Sequence, residues 1–218
     1  MVYRSMRVKI LSGEVPLGTP LSRRKLAEEF GVSIVPVGEA LQLLESEELV
    51  ESRPRVGTRV RIPTAEDVRG HYVVREALET HSARLFVDKA SPSEKEEIRS
   101  LAEWLDEAYG RAGKGGLSKE EVYEIHQKHM RFHMRVAECT GFRALKEAMN
   151  RNHVLTMNWL YDTAADWHQL PERFHGDLAD ALCSGGVLEA SEAMRAHVTY
   201  GKEQLLEKLE THLRSLSH

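Results

Sequence analysis

The sequence predicts a mainly α chain in two parts: a small helical head closed by a β-ribbon, then an all-helical bundle. Three observations predict it. Apolar residues recur at helical spacing through most of the chain. One short stretch near 50–62 breaks that spacing, with valine and arginine alternating after a turn at Val56-Gly57. Charge also divides at Pro63: residues 1–63 hold ten Lys and Arg against eight Asp and Glu, and the remainder holds twenty against twenty-six. The domains are therefore placed at 1–63 and 64–218.

In the head, Val2, Met6 and Ile10 recur at i, i+4, i+8 and give a first helix ending near Gly13. VPLGTP (15–20) reads as a turn-rich connector. Ser22 is placed to cap a second helix, RRKLAEEF, and Gly31-Val32 forms a turn. Ser33 is placed to cap a third, with Pro36 in its first turn and Val37, Ala40, Leu41 and Leu44 as its buried stripe. LVESRPR and GTRVRIP then form a two-stranded ribbon with arginines outside. Three helices and a ribbon make a winged helix-turn-helix, whose third helix enters the DNA major groove. A net charge of +2 on this segment is only weak support for nucleic-acid binding.

The rest reads as six helices, near 65–88, 92–112, 118–140, 142–165, 171–184 and 187–214, separated by Gly, Pro and Ser breakers. Trp159, Tyr161 and Trp167 read as core or pocket wall. No apolar run reaches the ~20 residues needed to cross a bilayer, and no signal-peptide core follows Arg4, Arg7 and Lys9. Cys139 and Cys183 form no CxxC pair, so two inert thiols in a reducing cytoplasm are expected.

HQKHMRFH (126–133) places His126, His129 and His133 near one helical face. His129 and His133, at i, i+4, can reach one ion. His126 lies two turns from His133, about 10 Å along the axis, too far to share it. His71, His81, His153, His168, His212 and His218 read as surface or hydrogen-bonded residues.

The order and spacing of several stretches carry a resemblance. They are LSGEVPLGTPLSRRKLAEEFGVS, PVGEALQLLESEELVESRPRVGTRV, VVREALE, HMRFHMRVAECTG, FHGDLADAL and AMRAH. Together they resemble a GntR-family transcription regulator of the FadR/FCD branch. The resemblance implies a homodimer that binds a double-stranded DNA operator and a small carboxylate effector. It also implies a divalent metal, held by Asp-x-x-x-His plus one His from each of two later helices. His133, His175 and His197 match that pattern, and His129 stands in place of the aspartate.

Four nitrogen donors suit zinc, nickel or copper better than magnesium or calcium. Without the aspartate, the site is expected to keep close to the ion's full +2 charge and to pull harder on an anion. Arg75 matches an arginine that the family often turns toward its cavity. It is a candidate for the effector carboxylate, or it forms a salt bridge with Glu79 at i+4. A further departure is Phe142, where many members have Asn.

The recognition helix departs as well. Where the family has Ser-Arg-x-Pro-Val-Arg-Glu-Ala-Leu, this chain reads SIVPVGEAL (33–41), without either arginine. Ile34 and Val35 offer only apolar contact, for example to thymine methyls, beside Ser33. Affinity then rests on Arg23, Arg24 and Lys25, and on Arg53, Arg55, Gly57, Arg59 and Arg61 in the wing. These mainly contact phosphates.

Two other functions fit a metal in a bundle: a hydrolase, and a regulator that senses the metal itself. Against the hydrolase stand the lack of HExxH, of a nucleophile elbow, and of a carboxylate in an obvious general-base position beside the histidines.

Overall fold

A computed structural model describes residues 1–113, 115–152, 170–204, 206–207 and 210–211. Two compact units divide the chain. One comprises Met1–Ala65 and the other begins at Glu66.

The head runs α1 (Val2–Leu11), β1 (Pro20–Leu21), α2 (Arg23–Phe30), α3 (Ile34–Ser46), β2 (Val50–Arg53) and β3 (Gly57–Val60). α1 buries Val2, Met6, Ile10 and Leu11, and packs against α3. Ser22 caps α2 by accepting the Lys25 N–H at 3.4 Å. Gly31 ends that helix at φ +63°, in the left-handed region that favours glycine. α3 buries the expected stripe of Val37, Ala40, Leu41 and Leu44. Ser33 has the extended backbone of a cap, but its hydroxyl makes no capping bond.

β2 and β3 pair antiparallel, Val50 opposite Val60 and Arg53 opposite Gly57. The ribbon has a third strand that the connector reading missed. Pro20 and Leu21 pair with Arg59 and Thr58, giving the order β1-β3-β2. Two residues are too few to show alternation. Pro20 lacks an N–H, and an edge strand tolerates that.

The second unit holds α4 (Ala65–Lys89), α5 (Pro92–Ala112) and α6 (Lys119–Cys139). A helical segment at 143–152 (α7) follows, then α8 (Phe174–Ser184) and α9 (Val187–Thr199). Capping boxes at Ser91/Glu94 and Ser118/Glu121 fix the starts of α5 and α6. Phe86, Ile98, Leu105, Phe132, Val136, Leu182, Met194 and Val198 form one core shared by α4, α5, α6, α8 and α9. Burial of each large side chain contributes about 1.5–3 kcal/mol, so these five helices are held in fixed relation.

Two expected helix bounds change. The 171–184 helix begins only at Phe174, after Arg173 at φ +56°. The 187–214 helix breaks after Thr199, because Tyr200 is extended and Gly201 takes φ +73° before helix resumes at 202. The 142–165 helix is described to 152, and His153, Trp159, Tyr161, Trp167, His168, His212 and His218 lie outside the described residues. Among the described residues no helix is long and apolar enough to cross a membrane. Cys139 and Cys183 are both free and buried, and burial pushes both thiols up, Cys139 to about 12.

Candidate metal centre and nucleic-acid interface

α6, α8 and α9 bring four imidazoles together. The donor nitrogens of His129, His175 and His197 all lie within 4.8 Å of one another. His133 stands outside that mutually close trio but touches it: its Nε2 is 2.9 Å from His129 Nε2, and its ring centroid is 5.1 Å from that of His197. His133 is 1% exposed and His175 is fully buried. Phe174 stacks on His197 at 4.2 Å. His126 is buried on the same helix but does not join the group.

Behind these rings stand groups from α4 and α5. The Glu79 carboxylate, 1% exposed, contacts His133 Nδ1 through one oxygen and accepts from Arg75 Nε at 2.6 Å through the other. Asp106 Oδ1 lies 2.8 Å from His175 Nδ1 and accepts the His175 backbone N–H at 2.9 Å. Its Oδ2 accepts the Gly176 N–H, also at 2.9 Å. A Cβ on Gly176 would meet that oxygen at 3.1 Å, so glycine permits the close approach. The Tyr109 hydroxyl lies 3.1 Å from His129 Nδ1.

A carboxylate only accepts, so the ring proton of His175 sits on Nδ1 and its Nε2 keeps its lone pair, and the close Glu79 contact favours the same tautomer in His133. Tyr109 can donate or accept, so it serves either tautomer of His129. When His129 also carries its proton on Nδ1, its Nε2 lone pair faces that of His133 at 2.9 Å, and a cation between them relieves the repulsion. His175 Nε2 and both nitrogens of His197 are buried without a hydrogen-bond partner among the described residues. Each such atom costs about 1–3 kcal/mol. A divalent transition metal fits this donor set.

Burial holds His129 and His197 well below the usual imidazole range, and the neighbouring imidazoles and Arg75 push the same way. Both are therefore neutral near pH 7, the form that ligates. Burial raises the Asp106 carboxyl, but bonds from the His175 ring and from the backbone of His175 and Gly176 outweigh it and leave it lowered.

Two carboxylates that the sequence did not reveal beside the histidines adjoin them, both on Nδ1 atoms, where they orient rings rather than stand as free bases. Glu79 and Asp106 place two negative charges behind the rings, and Arg75 places one positive charge beside Glu79. Arg75 itself forms the ion pair with Glu79. Glu79 was visible in the sequence only as its partner. Asp106 and Tyr109 were missed, because packing of α5 on α6 and α8 creates their contacts.

In the head, Arg23, Arg24 and Lys25 are exposed on the first turn of α2, and Ser33, Ile34 and Val35 are exposed where α3 begins. Arg53, Arg55 and Gly57 are exposed at the wing turn, Arg55 at φ +66° and Gly57 at φ +108°. Arg59 is half-buried and tied to Glu51 at 2.5 Å, and Arg61 pairs with Glu48.

Residues 1–60 match the gntR family of bacterial regulatory proteins, and residues 71–200 match the FCD domain. The chain belongs to the gntR family, with an FCD domain. This GntR regulator is similar to the HTH-type transcriptional regulator YdhC of Bacillus subtilis. They are 31% identical over 147 residues, which is 67% of this chain and 62% of that one. It is 30% identical over 195 residues to a D-xylose utilization operon transcriptional repressor of Paenarthrobacter nicotinovorans, covering 88% of this chain and 81% of the other. Among solved structures, a GntR transcriptional regulator from Rhodococcus sp. RHA1 aligns with a TM-score of 0.77 at 24% identity, covering 94% and 96% of the two chains. McbR/YncC of E. coli aligns at 0.70 and 21%, covering 97% and 96%. At those identities the likeness speaks for the fold. The GntR regulator is thus a DNA-binding transcriptional regulator with a winged head and a helical FCD domain.

Proposed function

We propose that this regulator acts as a cytoplasmic homodimer that binds a two-fold operator through paired winged helices. In this reading a small carboxylate metabolite reports to it at a transition metal, zinc first, with nickel or copper as alternatives. His129, His133, His175 and His197 hold the ion. The observation that carries the reading is the meeting of these imidazoles, with three Nδ1 atoms engaged by Glu79, Asp106 and Tyr109. When bound, the metal supplies a Lewis-acidic position for a carboxylate oxygen. Arg75, charged and mostly buried beside the site, adds a cation that Glu79 holds in place. Arg23, Arg24, Lys25, Arg53, Arg55, Gly57 and Arg59 position the head on phosphates, and Ser33, Ile34 and Val35 face the bases.

The effector need only bind one arrangement of the paired heads better than another, by about 1–3 kcal/mol. The D-xylose operon repressor and the gluconate operon repressor of Bacillus licheniformis among the relatives support repression as the direction. A metal-dependent hydrolase has less support, because Glu79 and Asp106 are both spent on ring orientation. A regulator that senses the metal itself keeps one argument: four protein nitrogens can close a coordination shell.

The test is a titration of operator binding with zinc and then with candidate carboxylates. A response to acid only in the metal-loaded protein supports the carboxylate reading. A response to metal alone, indifferent to every acid, favours the metal sensor. Operator affinity should also fall steeply with salt, with a log–log slope of about −0.9 per phosphate neutralised.

A further inference from the structure

The opening of α3 carries an apolar pair on the face that the docked head turns to DNA. Ile34 is 55% exposed and Val35 is 69% exposed, large aliphatic side chains left in water on the free protein. α3 contains no Lys or Arg. Its charged residues, Glu39 and Glu45, offer only acceptor oxygens, which cannot pair with the acceptor edge of guanine.

Gly38 lies one turn beyond Ile34. A Cβ there would meet nothing within 4 Å, so packing does not require a glycine. Mid-helix glycine is nevertheless costly, and what it provides is a bare backbone that another surface can approach. The same head carries exposed cations on α2 and at the wing turn, groups that suit a groove bordered by phosphates. In the major groove, the apolar group on a base edge is the 5-methyl of thymine.

We infer that the regulator reads its operator through thymine methyl groups. Ile34 and Val35 cover one or two of them per half-site, and Gly38 lets the helix sit close enough to exclude water. Ile34, Val35 and Gly38 offer no donor to guanine. The inference rests on the docking of α3 in the major groove proposed above.

The experiment selects preferred duplexes from a random pool with the full chain, then replaces each thymine in turn with deoxyuridine, which removes only the methyl. Burying one methyl is worth about 0.8 kcal/mol, or roughly fourfold in affinity. Uracil at one or two positions per half-site should therefore weaken binding about fourfold each, and 5-methylcytosine at those positions should weaken it less than cytosine. Ile34→Ala and Val35→Ala, both at exposed positions, should bind the thymine and uracil duplexes alike.

Full affinity with uracil at every thymine overturns the inference and leaves the docked head standing. Variants that change oligomeric state but not DNA affinity assign the pair to a protein interface and overturn it too. Failure to enrich any sequence, with duplex binding indifferent to salt, overturns the docking and this inference with it.

Discussion

Replacing Glu79 with Gln keeps the side chain's size and removes its charge at a point that touches both Arg75 and His133. An amide can still accept the His133 Nδ1 proton, so the ring keeps its direction but loses the anion that makes it a better donor. Loss of such an outer partner typically costs tenfold to a hundredfold in metal affinity, about 1.4–2.7 kcal/mol. The change also leaves Arg75 buried opposite a neutral group. Breaking a buried pair on one side costs about 3–5 kcal/mol of stability. The double variant Arg75→Met, Glu79→Gln separates the two effects. It should recover most of the lost stability in urea unfolding and still bind zinc at least tenfold more weakly in competition with a chromophoric chelator. Zinc affinity within twofold of wild type in both variants would refute the reasoning: Glu79 would then not support a ligand, and His133 would not be one.

Other predictions follow from single residues. Gly38→Ala should stabilise the free protein by about 1 kcal/mol, because it removes a helix penalty in open space; urea unfolding checks it. Ser22→Ala should cost about 1 kcal/mol through loss of the α2 cap. Arg59→Ala should weaken binding to all duplexes alike, and a sequence-selective loss in a binding assay would mean that the wing reads bases. Burial lowers His126 to about 4. Below its ordinary value near 6.5, the unfolded chain takes up a proton that the folded chain refuses, so stability falls as pH drops from about 6.5 toward 4. His126→Leu should reduce that loss between pH 7 and 4.5 by about 2 kcal/mol. His129 and His197 shift the same way and keep the remaining slope.

The sequence made the helices legible where caps and breakers coincide with apolar periodicity, as at Ser91-Pro92 and Ser118. It hid the features that depend on distance along the chain. β1 is two residues long, too short to carry a pattern. The break at Gly201 lay inside a stretch that otherwise kept helical spacing. Within the site, His129 and His133 were visible as an i, i+4 pair, whereas His175 and His197 emerged only through their match to a family pattern. Asp106 and Tyr109 gave no signal, since a helix face is polar or apolar in sequence but acquires its partners only when α5 packs.

The central claim is that the histidines of α6, α8 and α9 share one ion. Metal analysis of the purified wild type, His175→Ala and His197→Ala, each verified as folded by circular dichroism, tests it most directly. The expected result is about one transition-metal ion per chain in the wild type and almost none in either variant. Full metal occupancy in both variants would contradict it.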